Sequence, residues 1–152
     1  MAQYEHLPIY KKAMDLAVYV ETIVKGFPRY HKYTIGSELR ALSHKILVLV
    51  ARANSEQDKR GSLTEVREAL EELKILTRIA KELKVFANFN SFECLVLMIV
   101  EVAGQNEGWL RSRNPAHAAV GPGRERAYIH GAPRPPGLYG KGRQYQLSAL
   151  CG

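Results

Sequence analysis

LPIYKKAMDLAVYVETIVKGFPRYHKYTIGSELR, residues 7–40, contains one helical stripe, a break and the start of a second stripe. Pro8 suits the opening turn of a helix because it has no amide hydrogen to satisfy. From there Ile9, Ala13, Leu16, Val20, Ile23 and Phe27 recur at spacings of four and three, which places them on one helical face. Gly26 and Pro28 end that segment. Thr34 is positioned to cap the next one. The pattern is that of a helical hairpin, with Phe27, Pro28, Tyr33 and Gly36 expected to shape its corner.

Outward from the hairpin the pattern repeats. The second segment carries Leu39, Leu42, Ile46, Leu49 and Ala53 on one face, and then SEQDKRG, residues 55–61, forms a polar connection. Ser62 with Glu65 has the spacing of a capping box. Behind it, Leu63, Val66, Leu70, Leu73, Thr77, Ala80 and Leu83 form a third stripe. NFNS, residues 88–91, breaks the chain again, with Asn88 or Ser91 as cap. The fourth stripe is Leu95, Ile99, Val102, Asn106 and Trp109, and Trp109 is expected to close the open end of the core. No alternating strand pattern occurs before residue 113. Four amphipathic helices with short links predict an all-α, antiparallel up-down four-helix bundle.

The texture then changes, so residues 7–112 read as a bundle and 113–152 as a flexible tail rich in proline, glycine and arginine. Charge follows the same division. Residues 1–112 carry 16 Lys and Arg against 14 Asp and Glu, whereas 113–152 carry 6 against Glu125 alone. In the tail Tyr128, Tyr139 and Tyr145 interleave with Arg124, Arg126, Arg134, Lys141 and Arg143. Rings can stack on exposed bases while cations meet phosphates, so these five are candidate nucleic-acid contacts. A solubilising tail of no fixed role is the equal alternative.

Hydrophobic content of 46% and charged content of 24% fit a soluble protein. The apolar run Cys94–Val100 is too short for a membrane span, and the start MAQYEHLPIY has no signal-peptide core. Cys94 and Cys151 give neither a disulfide framework nor metal-ligand spacing, and Cys94 is expected as a buried thiol. The expected setting is the reducing cytoplasm, with no membrane partner.

Catalytic material is sparse. His6, His31, His44, His117 and His130 show no HExxH spacing, and neither a phosphate loop nor a GxSxG elbow occurs. Glu68, Glu71, Glu72 and Glu82 alternate with Arg67, Lys74, Arg78 and Lys81, the pattern of a salt-bridged solvent face. Arg78 is a candidate partner for Glu38, with a plain surface arginine as the alternative. The expectation is therefore no enzyme, no metal and no cofactor. The first hairpin is richer: Lys25, Arg29, Lys32, Arg40, Lys45 and Arg52 face only Glu21 and Glu38 over the same span. Such a surface favours polyanions.

Further apolar residues lie off the main stripes: Met14, Val18 and Val24, then Val48 and Val50, then Ile75, Ile79 and Phe86. Val96, Leu97, Met98 and Val100 make the fourth helix apolar almost all round. A helix of that kind needs further cover, and self-association supplies it.

LPIYKKAMDLAVYV, FPRYHKYTIGSELR, ARAN at 51–54, LKILTRIAKELKVF and GWLRS together resemble the accessory variability determinant (Avd) proteins of diversity-generating retroelements. These belong to a wider four-helix-bundle group that includes proteins encoded by intervening sequences in bacterial 23S ribosomal RNA genes. The resemblance implies a non-enzymatic partner of a reverse transcriptase, assembled as a homopentameric barrel. It also implies contact with structured template RNA and its cDNA, in support of mutagenic cDNA synthesis and mutagenic retrohoming. Carried onto this chain, Lys25, Arg29, Lys32, Arg40, Lys45 and Arg52 become the nucleic-acid or transcriptase surface. The long tail departs from the family pattern. A related bundle of the ribosomal intervening-sequence type and a purely structural oligomer remain the alternatives.

Overall fold

The computed structural model describes residues 4–113. Four long helices account for most of them: α1 (Pro8–Lys25), α3 (Ile35–Ser55), α4 (Arg60–Glu82) and α5 (Phe89–Ser112). A single turn, α2 (Arg29–Lys32), lies in the first connection, where the sequence suggests only a break. No strand occurs among the described residues.

Each long helix packs against two others, α1 on α3 and α5, and α4 on α3 and α5. The four-residue link 56–59 reaches at most about 14 Å, while α3, with 21 residues, is about 31 Å long. α4 must therefore run back alongside α3. Cross-contacts fix the α1–α5 pair in the same sense. Lys12 meets Glu101 at 3.0 Å, and seven residues further along α1 the Tyr19 hydroxyl donates to the Ser91 carbonyl at 3.2 Å, nearer the start of α5.

The core contains the residues that helical spacing selects, among them Leu16, Val20, Leu39, Ile46, Leu63, Leu70, Leu73, Leu95 and Ile99. Three apolar positions differ from expectation. Val24 and Val50 are buried rather than available for a second surface, and Leu83 is 47% exposed rather than on the inner face. α4 ends at Glu82, so Leu83 follows the last helical turn and Val85 enters the core instead. Trp109 is only partly buried, packed against the core below the Lys59 ammonium. Cys94 is buried, but no free thiol exists among the described residues, so the expected thiol is corrected.

Helix ends also differ. Thr34 is the N-cap of α3, but its hydroxyl donates to Tyr30 O at 3.0 Å and leaves the α3 amides alone. Ser62 lies inside the first turn of α4, whose N-cap is Lys59. The Lys59 ammonium donates to the carbonyls of Ala53, Asn54 and Glu56 at 2.8–2.9 Å, satisfying the open end of α3. Asn88 caps α5, its Oδ1 accepting from the Ser91 amide at 2.8 Å. Arg78 is exposed and forms no pair with Glu38 or any other carboxylate among the described residues.

Candidate nucleic-acid interface

The first corner is built on a close approach. A Cβ on Gly36 would lie 2.8 Å from Val24 Cγ1 and 3.0 Å from the His31 carbonyl oxygen. Only glycine lets α3 start this near the end of α1. Phe27 is buried beside it, and Pro28 is the N-cap of α2. Tyr33 ends α2 and is 70% exposed, so it adds little burial to the corner.

The six cations expected on this surface separate into two groups. Arg40 Nε is 2.9 Å from Glu21, and His44 Nε2 is 3.0 Å from the same carboxylate. The hydrogen bond from Arg40, together with the charges nearby, holds the Glu21 carboxyl below its ordinary range. Arg52 sits twelve residues beyond Arg40, about 18 Å along the helix. It donates to Ser62 Oγ at 3.1 Å and to Glu65 at 2.8 Å. Arg40 therefore ties α3 to α1, and Arg52 ties α3 to α4. Lys25, Arg29, Lys32 and Lys45 pair with no carboxylate among the described residues. Three of these, Lys25, Arg29 and Lys32, surround the first corner, with Tyr30 and Tyr33 exposed among them. The tail candidates Arg124, Arg126, Arg134, Lys141 and Arg143 lie outside the described residues.

Sequence reasoning overlooked the second corner at the same end of the bundle. The rings of Phe27 and Phe86 meet edge-on at 5.4 Å, and Phe86 in turn meets Phe92 at 5.7 Å. Phe89 completes the row, 5.7 Å from Phe92, with Lys81 above both rings. Periodicity places Phe27 on an inner stripe, Phe86 off the main stripes, Phe89 in a break and Lys81 on a solvent face. Only the packing of α1 against the α4–α5 connection makes them neighbours. Among the described residues no cluster of His, Cys, Asp or Glu could hold a metal ion, and no helix is long and apolar enough to cross a membrane.

A family model described as bAvd-like matches residues 7–113, all four long helices and both corners. The chain belongs to the bAvd-like family. No curated protein matches its sequence. In this bAvd-like chain the matched region contains both groups of cations, the paired Arg40 and Arg52 as well as the unpaired Lys25, Arg29, Lys32 and Lys45.

Proposed function

We propose that the protein is a non-catalytic accessory subunit that binds a retroelement reverse transcriptase and its structured template RNA. In that role it supports mutagenic cDNA synthesis in the cytoplasm. The bAvd-like match over residues 7–113 carries this reading. The unpaired Lys25, Arg29 and Lys32, set among exposed tyrosines, supply the contact surface. Arg40 and Arg52 position the helices behind that surface. The tail cations add contacts of their own. A neighbouring transcriptase gene with a variable and a template repeat would separate this role from that of a ribosomal intervening-sequence relative.

Lys25→Gln, Arg29→Gln and Lys32→Gln together should leave helicity unchanged and weaken binding of structured RNA. Each cation that meets a phosphate releases about one counterion, so the salt dependence of log affinity should flatten by about two to three. Base preference should persist, because phosphate contacts position the nucleic acid without reading it. Unchanged RNA affinity, salt slope and transcriptase binding would reduce this corner to a structural joint.

The same reading includes a homopentameric barrel. Met14, Val18, Val48, Ile75, Ile79, Leu97 and Val100 leave apolar surface exposed on all four long helices of a single copy, and assembly would cover it. Sedimentation equilibrium at micromolar protein should give a mass several times 17.1 kDa. A monomer throughout would remove the barrel from the proposal.

A further inference from the structure

We propose that the α4–α5 corner is a stacking site for an unpaired nucleotide of a single-stranded nucleic acid. The proposal rests on the chain being a nucleic-acid binder. It concerns a different surface from the first corner and a different strand form.

The backbone supplies the first observation. α4 closes with Lys84 N–H donating to Lys81 O at 2.9 Å and Val85 N–H to Ala80 O at 3.3 Å. This reciprocal pair places the residue after the C-cap in the left-handed region, where glycine is preferred. The residue here is Lys84, at φ 56°, the single non-glycine with positive φ among the described residues. A lysine held in a glycine conformation is strained. Its side chain helps line a shallow hollow of about 200 Å³ with Lys81, Phe86, Asn88, Phe89 and Phe92.

The side chains supply the second. Phe89 opens α5 and is 64% exposed. The Lys81 ammonium lies 5.8 Å from that ring and 4.9 Å from Phe92. The first turn of α5 has no acidic residue, so the positive end of the helix is unopposed. Glu82 and Glu93, the nearest acids in sequence, do not line the hollow. An exposed ring beside the Lys81 ammonium, with Lys84 lining the same hollow and a helix N-terminus adjoining, matches a base with its phosphate. A hollow smaller than a drug-sized pocket takes one such group. Bases inside a duplex cannot use it, because they are already stacked on both faces.

The test uses the full chain with Phe89→Trp as a local reporter. Trp109, about 30 Å away along α5, gives a constant background. A run of about twelve uridines, within the usual span of single-strand sites, should quench the added emission, and a fully paired two-strand duplex without loop or overhang should not. Phe89→Ala should weaken uridine binding about fivefold or more. Lys84→Gly should also weaken it while raising the melting temperature, because glycine relieves the backbone strain. Loss of affinity in a more stable protein cannot come from unfolding. Equal quenching by the uridine run and the duplex, no quenching by either, or Lys84→Gly binding like wild type would overturn the site. So would Phe89→Ala altering sedimentation while leaving uridine affinity intact, since the ring would then be a contact between copies. If Lys25→Gln, Arg29→Gln and Lys32→Gln leave RNA binding unchanged while quenching persists, only the first-corner reading falls.

Discussion

Gly36→Leu should destabilise the bundle by about 3 kcal/mol, at the upper end of overpacking costs, and lower its melting temperature by about 10 °C. The Cβ alone would stand 2.8 Å from Val24 Cγ1, 3.0 Å from the His31 carbonyl and 3.4 Å from Phe27. Two of these neighbours are buried side chains and the third is backbone, so none can turn aside cheaply. Gly36→Ala carries the same Cβ without the branches and should lose less. The effect is also functional, because α2 carries Arg29 and Lys32 and is held against the start of α3. Thermal melting followed by circular dichroism is the measurement. Wild-type melting of both variants would mean that α1 and α3 do not meet at this glycine.

That corner also shows what a single chain of letters reveals. The phrase FPRYHKYTIG marks a break and a restart. Four stripes at helical period are enough to predict which long helices exist and which faces they bury, because burial at every third or fourth residue is a local regularity. Val24 fits that period as well as Ile23 does, four residues after Val20 and three before Phe27, and its close contact with Gly36 of the neighbouring helix is what the local pattern does not show. Leu83 departs because the helix stops one residue before it. Cap assignment fails where the capping group is an unusual one. Lys59 is not a capping residue type, yet its ammonium bonds the carbonyls of Ala53 and Asn54 in the preceding helix and of its C-cap Glu56.

The candidate surface was legible as residue types and illegible as pairings. Arg40 and Lys25 look alike in sequence, but Arg40 meets Glu21 across the α1–α3 contact whereas Lys25 does not. Arg52 is likewise bound to Glu65 on α4. These pairs join residues far apart in the chain, beyond any local pattern. The second corner needed still more, since its row of rings forms only when three connected elements pack together.

Asn106→Asp should cost about 3–5 kcal/mol at neutral pH, the range for an uncompensated buried charge. Asn106 is 1% exposed, and its Nδ2 donates to the Leu63 carbonyl at 3.0 Å, linking α5 to α4. The substitution replaces that donor with a second acceptor facing the carbonyl and adds a charge away from water. Burial disfavours the ionised form, so the new carboxyl has a higher pKa in the folded than in the unfolded chain. The folded state then binds more protons, so the deficit relative to wild type shrinks as pH falls from the raised folded pKa towards the ordinary carboxylate value, about 4, where that recovery is complete. Once protonated, the group can donate to Leu63 again. Wild type moves in the opposite direction at the acid end, as pH falls below the ordinary carboxylate value. Glu21 and Glu107 are held below their ordinary values, first by hydrogen bonds from Arg40 and Arg67, so acid removes their contribution. Variant and wild type must therefore be compared at each pH, by urea denaturation. Asn106→Leu isolates shape from charge. It removes the donor together with an Oδ1 that has no hydrogen-bond partner, while the Leu63 carbonyl keeps the amide of its own helix. That variant should lie within about 1 kcal/mol of wild type. An equal deficit for Asn106→Asp at neutral and acid pH would show that the α4–α5 seam is open to water at this point.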